Sequence, residues 1–119
     1  MKQLLRDLAK LELTPQFHPD QQKFIAYIYT FYSDKIPVIQ FNGEYEDVVK
    51  NTQEWVDKWM VIKNTCDVNL ISFSIDNDGV FIYDSNSDKE LIIRDLTLDF
   101  DEVKAMVGKF IKEVSAWKA

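Results

Sequence analysis

The strongest constraint on the fold is a short run of strict alternation that ends in a turn. Within residues 68–75, Ile71, Phe73 and Ile75 fall on one side and Ser72 and Ser74 on the other. This is the period-two pattern of a strand with one face buried. Asn77-Asp78-Gly79 follows, three residues that tolerate positive φ and so close a hairpin. Val80–Tyr83 is then the return strand, Asp84–Asp88 a polar turn and Glu90–Asp95 a third strand. A meander with one apolar face must bury that face against another layer, so helices are the next thing to look for.

Two helices are well signalled. Val103, Met106, Val107, Phe110, Ile111, Val114 and Trp117 recur at helical spacing. Asp99 stands where an N-cap belongs, with Glu102 three residues on as in a capping box, and Leu98 and Val103 sit at hydrophobic-staple positions. Gly108 inside this segment costs roughly 1 kcal/mol relative to alanine. Residues 46–62 form the other stripe, with Val48, Val49, Thr52, Trp55, Val56, Trp59 and Met60 on the apolar side and Glu54, Asp57 and Lys58 on the wet side.

The first third of the chain is less regular. Leu4, Leu5, Leu8 and Leu11 predict a short helix over 2–12, ended by Thr14-Pro15 because proline disfavours a helical residue before it. Residues 23–32 are apolar on every side. Their Ile, Tyr, Phe and Thr content favours a buried strand, whereas Pro19-Asp20 before them would suit a helix start. We take the strand. Ser33-Asp34-Lys35 is then a turn, and Ile36–Phe41 a second strand whose Pro37 suits an edge or a strand start. Asn42-Gly43 signals a further turn. The expected fold is α+β, one domain over 1–119, with a mainly antiparallel sheet of about five strands packed by two or three helices. The expected order is helix, two strands, helix, three strands, helix. No internal repeat is visible.

Composition narrows the function. At 119 residues the chain can bury a core without staples. Its one cysteine, Cys66, forms no internal disulfide and suggests a reducing compartment. The charged N-terminal segment MKQLLRDLAKLEL has no apolar signal-peptide core, and no stretch nears the ~20 apolar residues that span a bilayer. A cytoplasmic protein is expected. Its net charge of −6 opposes binding to nucleic acid or to an anionic membrane surface.

Catalytic constellations are not evident. His18 is the only histidine. It is expected in a loop before Pro19, and Cys66 at a strand entry; a dyad of the two is disfavoured. Asp76-Asn77-Asp78-Gly79 invites a calcium-loop reading. Placing Gly79 sixth puts Ser74 first and Ser85 twelfth, where acids belong. The three glycines at 43, 79 and 108 build no phosphate loop. Acid pairs such as Glu44/Glu46 and Asp99/Asp101 are expected as caps or solvated residues. Trp55 and Trp59, one turn apart, are expected in the core rather than as a stacking pair. Tyr27, Tyr29, Tyr32 and Tyr45 suit either an interface or the interior. No enzyme activity, cofactor or metal site is expected.

Charge is unevenly distributed. Residues 76–102 hold nine acids against Lys89 and Arg94, a net of −7, while the remaining residues sum to +1. Isolated acids in turns and at a helix N-terminus explain such residues individually. Gathered in space, they would steer a basic partner. A Trp-bearing helix (Glu54-Trp55-Val56-Asp57-Lys58-Trp59), a meander (Val68–Asp95) and a closing helix, together with small size and acidity, resemble the immunity proteins of bacterial toxin–immunity systems, such as contact-dependent growth inhibition. The resemblance implies a small cytosolic protein, a monomer, that blocks a basic toxin domain, in some cases a nuclease, by covering its active site. The candidate contact residues are Asp76, Asp78, Asp84, Asp88, Glu90, Asp95 and Asp99. The alternative is a chaperone like those of type III secretion systems, similar in size, charge and its Leu-rich opening helix. That class holds an effector segment in exposed apolar grooves as a homodimer.

Overall fold

The computed structural model describes residues 2–19, 23–32 and 35–118, with the side chains of Trp117 and Lys118 outside the description. The elements run α1 (Lys2–Lys10), β1 (Leu13–Pro19), β2 (Phe24–Thr30), β3 (Ile39–Gly43), α2 (Tyr45–Val68), β4 (Ser72–Asp76), β5 (Gly79–Asp84), β6 (Lys89–Ile93) and α3 (Phe100–Lys118). The fold is α+β, but its sheet content differs from expectation. Six strands form two three-stranded antiparallel sheets, ordered β1-β2-β3 and β4-β5-β6. The order "three strands, then a helix" therefore occurs twice, a repeat of architecture with no visible counterpart in sequence. The chain divides into two compact units, Met1–Met60 and Val61–Ala119, with the boundary inside α2.

In the first unit, β1 is the unforeseen strand. The helix expected over 2–12 ends at Lys10, before Thr14-Pro15, and Thr14-Pro15 itself lies within β1, where Pro15 stands opposite Ile28. Proline lacks the N–H of a ladder bond, and β1 is an edge strand with β2 on one side only. His18 is accordingly a strand residue paired with Ile25, not a loop residue. The strand assignment of residues 23–32 agrees with β2. Ala26, Ile28 and Thr30 are buried on one face, and Ile25, Tyr27 and Tyr29 are half-covered on the other, which is why the run is apolar throughout. The predicted second strand is shifted: β3 begins after Pro37, at Ile39, and Asn42-Gly43 ends it in register with Ile25 and Phe24 instead of turning. Ser33 and Asp34 of the predicted turn, and Asp20 of the alternative helix start, lie outside the described residues. The core of this unit is Leu4, Leu8, Leu11, Leu13, Ala26, Ile28, Val48, Trp55, Val56 and Trp59. The Thr52 hydroxyl, also buried, donates to the Val48 carbonyl at 2.6 Å.

In the second unit, α2 runs six residues past its predicted end and takes up Val68, so Cys66 lies in its last turns and not at a strand entry. The stop has a specific geometry. Leu70 is left-handed at φ 58. The Leu70 amide donates to the Asp67 carbonyl at 3.1 Å and the Ile71 amide to the Cys66 carbonyl at 2.9 Å. These two bonds are a Schellman closure, in which glycine ordinarily fills the left-handed position. Leucine there meets its own Cβ strain while 83% exposed. Leu70→Gly is therefore expected to raise stability by about 1 kcal/mol, read from the urea midpoint at unchanged m-value. A drop in midpoint would refute this account of the helix end.

The meander matches its prediction closely. Ile71 and Ile75 are buried, Phe73 is half-buried, and Ser72 and Ser74 are exposed. Asn77 and Asp78 form the turn, and Gly79 already pairs with Asp76. The third strand is Lys89–Ile93, ending two residues before the expected Asp95. Asp99 caps α3, accepting from the Glu102 amide at 2.9 Å. Val103, Val107, Phe110 and Val114 are buried along the helix; the Trp117 side chain is outside the description.

Candidate functional site

Register decides where the seven candidate acids stand. Asp76 lies at the β4–β5 hairpin opposite Gly79, and Asp78 is in its turn. β6 ends at the same level, since Ile93 pairs with Val80, and Asp95 and Asp99 lie in the connection that leaves that end. Asp84 pairs with Lys89 at the opposite end of β5, with Asp88 in the turn and Glu90 opposite Tyr83. Five strand steps separate the two ends, roughly 17 Å, or about two Debye lengths at physiological salt. The acids thus form two lobes and not one field.

The lobes also differ in what their carboxylates do. At the hairpin end, Asp76 accepts from the Asp78 amide at 2.7 Å and Asp95 from the Thr97 amide at 2.9 Å. Asp99 accepts from the Glu102 amide. The amides on Asp76 and Asp99 are uncharged, so they orient those carboxylates without cancelling their charge. Asp76, Asp78, Asp95 and Asp99 are all exposed. At the far end Asp84 is fully buried and ties the turn together, accepting from the Ser87 amide at 3.0 Å and hydroxyl at 2.7 Å. Asp88 accepts from the Tyr83 hydroxyl at 2.7 Å. That bond favours the neutral phenol and raises the Tyr83 pKa, with the surrounding acids adding to the effect.

The chemical groups singled out in the sequence fall as follows. Cys66 is buried, and burial, reinforced by the charge of Asp67, pushes its thiol up to about 11. It stays protonated at neutral pH and is a poor nucleophile there. His18 is exposed on β1, edge-on to Tyr27 at 5.3 Å between ring centroids. Trp55 and Trp59 are both buried and meet edge to face at 6.4 Å, so they pack and do not present a stacking surface. Tyr27 and Tyr29 are half-buried, whereas Tyr45 is exposed and Tyr32 is 83% exposed. Among the described residues no group of three or more His, Cys, Asp or Glu is placed to hold a metal ion. No described helix is long and apolar enough to cross a membrane.

Two surface features escape the sequence reading. Val61, Asn64, Thr65, Val68 and Asn69 line a shallow depression of about 360 Å³ at the end of α2, with Val68 83% exposed. Asp101, Lys104, Ala105, Gly108, Lys109 and Lys112 line another, of about 480 Å³, on the outer face of α3. The first had no sequence signal, because the helix was expected to stop at residue 62. The second is the polar complement of the α3 apolar stripe, a face the sequence reading passed over. Comparison with protein-family models, with curated proteins and with solved structures finds no match for this chain.

Proposed function

We propose that this chain works by binding a basic protein partner without turnover, as an immunity-type inhibitor that covers a toxin's active site. The reading is supported by one observation above the rest: exposed carboxylates on the β4–β5 hairpin, Asp76 and Asp78, and on the connection that leaves the same end of β6, Asp95 and Asp99, with Asp76 and Asp99 oriented by backbone amides. A fixed negative lobe loses little side-chain freedom on docking and attracts a cationic surface before contact. Asp84 is not among the contacts, since its carboxylate is committed to the 85–88 turn. Asp88 and Glu90 belong to the far lobe.

The test starts with a pull-down from the native host, with the products of neighbouring genes tried as bait. For a toxin captured in this way, Asp78→Lys combined with Asp99→Lys is expected to weaken binding roughly 10- to 100-fold and to slow association most. Glu90→Lys at the far lobe is expected to leave binding within about twofold. Equal affinities for all three proteins, or a toxin whose killing continues in the presence of the chain, would defeat the proposal.

A second reading, the secretion-type chaperone, draws support from the exposed apolar side chains at the end of α2, Val61, Val68 and Leu70. A dimer that persists at sub-micromolar concentration favours the chaperone, and a monomer there favours the inhibitor.

A further inference from the structure

The outer face of α3 carries an arrangement that matches itself. Asp101, Ala105, Gly108 and Lys112 follow one line along the helix at about 3.6 residues per turn, opposite the buried Val103, Val107, Phe110 and Val114. Acids lie at the start of this face, Asp101 and Glu102, and lysines along its second half, Lys109 and Lys112, with Glu113 beside them. All five are exposed. Turned end over end, the face presents lysine to acid and acid to lysine.

We infer that this face docks the same face of a second copy, the two α3 helices packing antiparallel about a two-fold axis between Ala105 and Gly108. In that register Asp101 of each helix lies opposite Lys112 of the other, and Glu102 falls between Lys109 and Glu113. Ala105 meets Gly108 at the crossing, where small side chains let the backbones approach. A two-fold contact of this kind is isologous and closes at two copies. Antiparallel helices also set each positive N-terminus beside a negative C-terminus.

Two further observations support this occupant. Gly108 has no use inside its own chain, because a Cβ there would meet nothing within 4 Å. A mid-helix glycine without an internal reason is accounted for by a backbone arriving from outside. Lys104, the cation with no acid opposite it in this register, rests over the ring of its own Phe100 at 5.8 Å and so leaves the seam. The net charge of −6 opposes self-association in general; the outer face of α3 as a whole holds three exposed acids, Asp101, Glu102 and Glu113, and three exposed lysines, Lys104, Lys109 and Lys112.

One helix face per copy is at the small end of specific interfaces, so the dimer is weak, with a Kd of roughly 10–500 μM. The chain is then monomeric at sub-micromolar concentration, and the inference does not rest on the proposed toxin contact, which uses the hairpin end.

Sedimentation equilibrium of the full chain over about 10–500 μM tests it. The expected result is a reversible dimer. Gly108→Lys fills the crossing with bulk and charge and is expected to weaken it at least about tenfold, with unchanged circular dichroism because the side chain enters open space. Asp101→Lys and Lys112→Asp are each expected to weaken it about fivefold or more, and the double variant D101K/K112D to return it to within about twofold of the parent. A chain that stays monomeric at the highest concentration overturns the inference. So does a folded Gly108→Lys protein that associates as the parent does, or a double swap no stronger than its singles.

Discussion

Gly79→Ala is expected to cost about 3 kcal/mol or more, a large share of a total stability of about 5–15 kcal/mol. Gly79 opens β5 at φ 132, a conformation L side chains rarely adopt. A Cβ there would run into the Ile93 carbonyl oxygen and lie 2.9 Å from the Arg94 Cα. Both obstacles are backbone, so no rotamer change relieves the clash. β5 and β6 would have to part where Val80 pairs with Ile93. Left-handed strain of roughly 1–2 kcal/mol adds to an overpacking cost of about 1–3 kcal/mol. Gly108→Ala is the matched control. Its Cβ enters open space on a helix, so the same chemical change is expected to stabilise by roughly 1 kcal/mol. Urea unfolding of both variants at sub-micromolar concentration (below the range of α3 pairing) gives the comparison. Equal effects at the two positions would show that close approach at the hairpin is not what Gly79 supplies.

The same glycine shows how far the sequence carries. Asn77-Asp78-Gly79 announced a hairpin, and the alternation before it fixed which side chains face inward. The Asp99–Glu102 spacing announced the cap that the structure contains. These features are local, decided within a few residues of themselves. What stayed hidden depends on distant neighbours. Pro15 marks a break in a lone segment but is harmless on an edge strand, and only the pairing with β2 makes β1 an edge. One missed strand concealed the division into two sheets. Leu70 concealed the end of α2, because the left-handed closure was built without the glycine or asparagine that normally signals it.

The acidic residues illustrate a further limit. Their identities and their imbalance against Lys89 and Arg94 were plain. Whether they act as a single field depends on which end of β5 each one reaches, and that is a matter of register. Asp84 and Asp78 look alike in a polar turn sequence. One is buried and bonded to Ser87, and the other is exposed at the hairpin tip. The lysines of α3 went unremarked for the opposite reason. They follow the ordinary pattern of a wet helix face, and only the open space at Gly108 sets that face apart.

Trp59→Ala is the second large effect expected, a loss of about 3–5 kcal/mol. Trp59 heads the fully buried side chains by volume and has no exposed surface. Its ring meets Trp55 edge to face at 6.4 Å, and the Lys58 ammonium lies 4.9 Å from its centroid. Trp55 in turn meets Phe41 of β3 at 6.2 Å, so the indole belongs to the aromatic packing between α2 and its sheet. Removing it deletes the burial of a whole ring system and leaves a cavity too large for neighbouring side chains to fill. Aromatic pairing and the cation contact each add about 0.5–1.5 kcal/mol beyond area. Trp59→Phe keeps a ring in place and is expected to lose roughly half as much. Against a total of about 5–15 kcal/mol, the alanine variant is left marginal while the phenylalanine variant remains folded. Denaturant unfolding followed by far-ultraviolet circular dichroism separates the two. A loss below about 1 kcal/mol for Trp59→Ala would mean that the ring is dispensable to the core and that α2 is held to its sheet by its aliphatic residues alone.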